Sequence, residues 1–306
     1  MIDILLSTYN GTEFLEDQVS SLFSQNCKNW TLLVRDDGST DETVATLGRL
    51  CSRSRTRLTA DAENLGPCRS FERLLKQSSA PYCMFCDQDD VWLPDKIEKS
   101  LALMHEMERR WGNDTPILIH SDLQVVDRHL QPLAPSFWRH QGIEPERRET
   151  FNRLLVQNVV TGCTVMINAP LRQIALPFAA ETLMHDWWLA LTAAAFGRIG
   201  RLNEPTVLYR QHGGNEVGAK RWGPRLIWRR LNRWSSEVEE ATGRTQRQAA
   251  AFNRRFGTQL TEDQREVLAF FTGAEHHHYL SNARGVLRHR LFKAGWLRTL
   301  GLIASL

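Results

Sequence analysis

The sequence predicts an α/β fold: a mostly parallel central sheet with helices on both faces, followed by a basic, helical C-terminal extension. Three observations carry this reading. Short apolar runs alternate with amphipathic segments through the first 110 residues, the order that puts crossover helices between parallel strands. Those runs give way to loops rich in Gly, Asn, Asp and Ser. After Gly213-Gly214 the composition turns basic and helical to the end of the chain.

The elements follow in order. Ile2–Ser7 reads as a buried strand and Thr12–Ser24 as a helix. Trp30–Arg35 is a second strand, and Asp41–Cys51 a helix capped by Ser39 or Thr40. Arg57–Asp61 is a short strand, Pro67–Gln77 a helix, Tyr82–Cys86 a strand of apolar residues, and Pro94–Arg110 a helix opened by proline. Ile117–His120 and Leu123–Val126 read as two strands, then an irregular stretch runs to Glu149. Phe151–Val156 is helical, Cys163–Ile167 a strand, Trp187–Phe196 an Ala/Leu-rich helix and Thr206–Arg210 a last short strand. A boundary near residue 216 divides a domain of residues 1–215 from an extension of residues 216–306.

With 42% hydrophobic and 24% charged residues, the chain is expected to fold and not to be disordered. No apolar run approaches the roughly 20 residues that span a bilayer. The N-terminus lacks a basic n-region, so no signal peptide is expected. Six cysteines in 306 residues do not make a disulfide framework. Cys83 and Cys86 lie three apart in a strand and face opposite sides. His276-His277-His278 reads as a polar helical segment. A cytoplasmic, reducing setting fits. The net charge is only +3, but Lys220–Arg233 carries six basic residues and no acid, interleaved with Trp222, Trp228 and leucines. Arg284–Arg298 repeats that character, and both segments suit an anionic surface.

The chemistry gathers where strands end. Tyr82–Cys86 runs into Asp87-Gln88-Asp89-Asp90, and carboxylates so placed suit a hard divalent cation that also holds phosphates. The plain alternative is a solvated acidic turn. The other strands end in Ser7-Thr8-Tyr9-Asn10-Gly11, in Arg35-Asp36-Asp37-Gly38-Ser39-Thr40-Asp41 and in Asn64-Leu65-Gly66-Pro67. Four polar loops at one sheet edge form a cleft suited to a nucleotide. Met184-His185-Asp186-Trp187-Trp188 precedes a helix; on structural grounds alone Asp186 is its N-cap and the tryptophans are core. Tyr209-Arg210-Gln211-His212 closes the domain, and imidazole is a common metal ligand.

Taken together, Ser-Thr-Tyr-Asn-Gly, Asp-Asp-Gly-Ser-Thr-Asp, Asn-Leu-Gly and Asp-Gln-Asp-Asp-Val-Trp-Leu-Pro-Asp-Lys resemble glycosyltransferase family 2, and within it bacterial rhamnosyltransferase-like members. The resemblance covers roughly residues 1–215. It implies a Rossmann-like GT-A fold, a nucleoside-diphosphate sugar donor, Mg²⁺ or Mn²⁺, and inversion at the anomeric carbon. Carried onto this chain, it sets Tyr9 beside the base and gives Asp37 or Asp36 the pyrimidine imide N–H. Asn64 and Gly66 close the nucleoside pocket, and Thr8, Asn10 and Gln88 belong to the same donor site. Asp87 lies near ribose and metal, and Asp89 ligates the metal. His212 is a third metal or pyrophosphate contact, or Arg210 instead neutralises the diphosphate. Asp186 is the catalytic base, with Thr161-Gly162-Cys163 as a floor near the acceptor. The implied donor is dTDP-L-rhamnose. The implied acceptor is a cell-surface glycan or lipid-linked saccharide, met at the inner face of the cytoplasmic membrane.

Three rivals fare worse. A sugar nucleotidyltransferase needs a basic Gly-rich loop for triphosphate, and Ser7–Gly11 has no Lys or Arg. A non-catalytic glycan- or membrane-binding protein would carry a degraded acidic motif. DNA binding through the Arg/Trp segments is disfavoured, and no nucleic-acid partner is expected.

Overall fold

The computed structural model describes residues 1–52, 55–212, 234–274 and 278–306. Lys220–Arg233, His276 and His277 lie outside them, and so does the expected boundary near residue 216. Nine strands are described: β1 (Ile2–Thr8), β2 (Trp30–Asp37), β3 (Thr56–Asp61), β4 (Tyr82–Cys86), β5 (Val91–Trp92), β6 (Ile117–Val126), β7 (Pro132–Ala134), β8 (Met166–Asn168) and β9 (Arg198–Arg210). The helices are α1 (Thr12–Phe23), α2 (Thr43–Leu50), α3 (Pro67–Gln77), α4 (Lys96–Trp111), α5 (Phe137–Gln141), α6 (Phe151–Val156), α7 (Ala169–Ala175) and α8 (His185–Phe196). They continue with α9 (Trp234–Phe256), α10 (Glu262–Gly273), α11 (Tyr279–Arg288) and α12 (Trp296–Ser305). The described residues pack into two compact units, one of residues 1–137, 160–177 and 184–219, the other of residues 138–159, 178–183 and 220–306.

The first unit is built on one sheet of order β3-β2-β1-β4-β8-β6-β9-β5, with β7 on β6. The predicted strands β1 to β4 pair in parallel. Beyond β4 the sheet is mixed: β8 runs antiparallel to β4 and to β6, whereas β6 and β9 are parallel. Alternate residues of each strand point to opposite faces. Ile2, Ile4, Leu6, Leu32, Val34 and Met84 meet Leu15, Val19 and Leu22 of α1, Leu47 of α2, and Ile97 and Met104 of α4. On the other face the Phe85 ring packs 5.5 Å from Phe71 of α3 and 5.0 Å from His185 of α8. Helices therefore cover both faces of the parallel half.

Several local expectations are corrected. The first domain's second helix begins at Thr43 with Glu42 at its cap, not at Ser39 or Thr40; the Asp41 carboxylate accepts the Thr43 N–H at 3.0 Å. Met184, and not Asp186, is the cap residue of α8, so Asp186 stands in the first turn. Gly162–Thr164 forms a 3-10 turn and β8 starts only at Met166. The two strands expected at 117–126 are one, because Ser121 and Asp122 are buried with partners: Ser121 Oγ meets Thr206 Oγ1 at 2.6 Å, and Ser136 bonds the Asp122 carboxylate.

The second unit is helical. The Phe252 and Phe256 rings of α9 pack tilted at 4.8 Å, and Phe151 of α6 lies 5.8 Å from Phe252. Helix α10 opens with a reciprocal capping box of Thr261 and Gln264. No helix among the described residues is long and apolar enough to cross a membrane.

Candidate active site

Parallel pairing in register delivers four loops to one edge. Thr8 stands opposite Asp36, Asp37 opposite Asp61, and Leu6 opposite Cys86, so the residues after each strand converge. The loops bind one another before any ligand arrives. Thr8 Oγ1 and Ser39 Oγ donate to Asp36 Oδ1 at 2.8 and 2.6 Å, and the Ser39 N–H donates to Asp36 Oδ2 at 2.9 Å. The Asn10 N–H donates to Ser39 Oγ at 2.9 Å, and Asn10 Oδ1 accepts the Thr40 N–H at 2.9 Å. Asn10 itself sits at φ 46°, the left-handed region that Asn tolerates.

Asp37 differs from its neighbour. Its Oδ1 is held by the fully buried Arg35 guanidinium and by the Leu65 N–H at 2.8 Å. Its Oδ2 has no donor among the described residues. Arg35 also reaches Asp61 at 2.9 Å and the Glu63 carbonyl at 3.2 Å, tying β2 to the loop that carries Asn64 and Gly66. Asn64 Oδ1 accepts the Gly66 N–H at 3.1 Å, and Gly66, at φ 77°, opens α3.

The acidic loop is locked to the first loop by Gln88. Its Oε1 accepts the Tyr9 N–H at 2.8 Å while its Nε2 donates to the Tyr9 carbonyl at 3.0 Å, leaving the Tyr9 side chain largely exposed. Gly11 makes room for this amide: a Cβ there would lie 2.2 Å from Gln88 Oε1. A cavity of about 450 Å³ adjoins, lined by Tyr9, Asn10, Gly11, Phe14, Gln88 and His212 among others.

Asp89 Oδ2 lies 2.8 Å from His212 Nε2, and the His212 ring lies tilted with its centroid 4.6 Å from that of Phe14. Arg210 is only 3% exposed. Its Nε donates to the Asp89 carbonyl at 2.8 Å, Nη1 to the Arg128 carbonyl at 2.6 Å and Nη2 to Asp17 at 2.8 Å, while its backbone N–H holds Asp90. The guanidinium thus braces the acidic loop from Asp17 and the Arg128 carbonyl.

Beneath the loop lies a group of ionisable side chains, of which Asp90 and Cys163 are buried and Asp87 is half-buried. The carboxylates of Asp87 and Asp90 and the Cys163 thiol lie within 4.8 Å of one another. Burial and then the charges of Asp89 and Asp87 push Asp90 well above the usual carboxylate range. Burial likewise raises Cys163, and it lowers Lys96, which sits 4.6 Å from the Trp92 ring centroid, to about 8.

Asp186 is 7% exposed on α8. Gly162 backs onto it: a Cβ at Gly162 would lie 3.6 Å from Asp186 Oδ2 and 2.8 Å from His185 Nε2. Burial alone holds His185 down at about 3, and neither of its ring nitrogens has a hydrogen-bond partner among the described residues. The single turn Gly162–Thr164 therefore touches Asp186 through Gly162 and the acidic loop through Cys163. Sequence reasoning missed the Gln88 clasp, His185 and Lys96. The only signal was the placement of Gln88 between acids and of His185 beside Asp186.

Comparison with known proteins agrees with this geometry. Residues 3–113 match the model of Glycosyl transferase family 2. The chain is 26% identical to the dTDP-rhamnosyl transferase RfbG of Shigella flexneri over 233 residues, 70% of this chain and 74% of that protein. It is 27% identical to the Escherichia coli UDP-Glc:alpha-D-GlcNAc-diphosphoundecaprenol beta-1,3-glucosyltransferase WfgD over 207 residues, 66% of this chain and 73% of WfgD. The fold is similar to that of S. aureus TarS 1-349 in complex with UDP-GlcNAc, with a TM-score of 0.58 at 15% identity over 99% of this chain and 90% of that 1-349 chain. Residues 3–113 are a glycosyl transferase family 2 domain, and the chain that carries them is a glycosyltransferase of GT-A fold.

Proposed function

We propose that the protein is an inverting, divalent-metal-dependent transferase that moves L-rhamnose from dTDP-L-rhamnose to a hydroxyl of a cell-surface glycan or lipid-linked saccharide. The observation that carries this reading is the turn Gly162–Thr164, which adjoins Asp186 on one side and the Asp87–Asp90 loop on the other. A base and a diphosphate-binding loop so close together suit a one-step displacement.

Each residue then has a task. The exposed Tyr9 ring flanks the base. The pyrimidine imide N–H goes to Asp37 Oδ2, since both Asp36 oxygens already serve the Ser39 turn. Thr8 and Asn10 hold that turn in shape, and Asn64 and Gly66 close the nucleoside pocket. Gln88 fixes the acidic loop against Tyr9, and Arg210 braces it from below. Asp186 takes the proton of the acceptor hydroxyl as its oxygen attacks the anomeric carbon. The bond to the diphosphate breaks on the opposite face, which inverts the centre.

Asp89 and His212 bring an oxygen and a nitrogen within 2.8 Å of each other, a pair suited to a divalent cation, while the Asp87 carboxylate groups with Asp90 and Cys163 one loop position away. Burial keeps the nearby Cys163 thiol protonated, outside the set. Mg²⁺ or Mn²⁺ held by Asp87, Asp89 and His212 would supply charge neutralisation for the departing diphosphate. Residues 1–215 form the catalytic domain in this reading. The segments Lys220–Trp234 and Arg284–Trp296 hold the enzyme peripherally on the anionic inner face of the cytoplasmic membrane.

A thermal-unfolding screen of nucleotide sugars, with and without Mn²⁺ or Mg²⁺, tests the reading, because ligands of the native state raise stability. The expected result is metal-dependent protection that is greatest with dTDP-L-rhamnose. Equal or greater protection by UDP-glucose would move the donor assignment, and no metal-dependent protection by any nucleotide sugar would overturn it.

A further inference from the structure

The turn between β6 and β7 presents one arginine, Arg128, to the cleft beside Tyr9. The Asp127 N–H donates to the Gln131 carbonyl at 2.9 Å, and Asp127 Oδ1 accepts the N–H groups of His129 at 2.8 Å and Gln131 at 2.9 Å. Leu130 closes the turn at φ 63°. Within it, the Arg128 carbonyl accepts Arg210 Nη1 at 2.6 Å. The backbone that carries Arg128 is therefore fixed. Its side chain is not. It is 56% exposed, and its one partner among the described residues is the Glu13 carboxylate of α1, itself 58% exposed.

Arg128 lines two cavities, which share Glu13 and Phe14 as well. The smaller, of about 290 Å³, also touches Asp17 and Arg210. The larger, of about 450 Å³, is the one that holds Tyr9, Gln88 and His212, and Arg128 is the only Arg or Lys lining it among the described residues. A donor with its base against Tyr9 and its diphosphate on a metal held by Asp89 and His212 has to cross this larger cavity. Its phosphate oxygens then pass along a lining whose one permanent cation is Arg128.

The present partner of that cation is easily exchanged. An exposed ion pair contributes little, because water solvates both groups and salt screens them. A guanidinium fork fits carboxylate and phosphate oxygens alike, and a diphosphate brings more charge and more oxygens than one carboxylate. Rotation of the Arg128 side chain suffices for the exchange, since the turn beneath it stays in place.

We propose that Arg128 binds the donor diphosphate, and that Glu13 holds its guanidinium until the diphosphate takes the place of the carboxylate. The proposal rests on the donor-site reading and adds to it a residue and a competitor within this chain.

The test is calorimetry of dTDP and of UDP, each with Mn²⁺ at ~0.15 M salt, where distant charges are screened. It uses the full chain as wild type, Arg128→Gln, Glu13→Gln and the double variant. Arg128→Gln should weaken binding roughly tenfold or more, the loss of a hydrogen bond to a charged group. Glu13→Gln should tighten it by roughly two- to fivefold, the worth of an exposed pair. The double variant should bind as Arg128→Gln does, because Glu13 acts only through Arg128. Weakening in both single variants would make the pair a structural strut and overturn the proposal. An equal gain from Glu13→Gln in both backgrounds would reduce Glu13 to a distant charge and overturn it too. Wild-type binding that Arg128→Gln leaves unchanged removes Arg128 and spares the donor site, whereas a wild type that binds neither nucleotide refutes both.

Discussion

Gly11→Ala is the sharpest probe of how the nucleotide loops are assembled. A Cβ at residue 11 would stand 2.2, 2.4 and 2.9 Å from Oε1, Cδ and Nε2 of Gln88. Such distances are not tolerated, and the flexible amide can yield, so Gln88 leaves Tyr9 and both its bonds break. At ~0.5–1.5 kcal/mol each, the loss is about 1–3 kcal/mol. Gln88→Ala loses the same two bonds and the same energy. In the double variant there is no amide to displace, and Gly11→Ala then adds only its cap penalty, no more than about 1 kcal/mol. Urea unfolding of the four proteins should therefore give a coupling energy of ~1–3 kcal/mol. Metal-dependent dTDP binding should weaken in both single variants, by up to roughly a hundredfold if the whole loss falls on the loop. Additivity within about 0.5 kcal/mol would show that the close approach of Gly11 to Gln88 does not govern the site.

Other predictions follow from the same geometry. Asp186→Asn keeps size and polarity, so donor binding by calorimetry should stay near wild type while turnover falls ~10²–10⁴-fold; wild-type turnover would reduce Asp186 to a structural residue. His185 ionises near 6.5 when unfolded and at about 3 when folded, so between those values the unfolded state binds the extra proton. Stability should then fall as pH drops through that window, by ~1.4 kcal/mol per pH unit from this group, and His185→Gln should flatten the slope in urea titrations at pH 4 to 7. Gly66→Ala has open space around the new Cβ but a φ of 77°. It should cost ~1–3 kcal/mol of stability through backbone strain alone, and an unchanged urea midpoint would count against that reading.

What the sequence disclosed, and what it hid, follow from the range of the interactions. Strands β1, β2 and β4 were legible because they are buried on both faces and so read as apolar runs. Their parallel pairing makes the converging loops legible too. Strand β5 has two residues and owes its existence to Val207 and Leu208 of β9, over 110 positions away, so no local pattern marks it. The first half of β9 holds Arg198, Arg201, Asn203, Glu204 and Pro205, and only its pairing with β6 makes it a strand. The acids of the site were visible as types, but their partners were not. Asp36 and Asp37 are adjacent in sequence, yet one is consumed by the Ser39 turn and the other keeps an oxygen beyond Arg35 and Leu65. Arg210 was visible as a cation in the closing motif. Its burial against Asp17 and the Asp89 carbonyl is a tertiary fact.

The central claim is that the strand-end acids hold a metal-assisted nucleoside diphosphate. Calorimetry of dTDP binding with and without Mn²⁺, on wild type and Asp89→Ala, tests it most directly. Asp89 and His212 lie 2.8 Å apart at the mouth of the cleft. Removing the carboxylate should therefore abolish the Mn²⁺-dependent part of the affinity, while near-native circular dichroism shows that the fold survives. Mn²⁺-dependent dTDP binding of wild-type strength in folded Asp89→Ala would contradict the account.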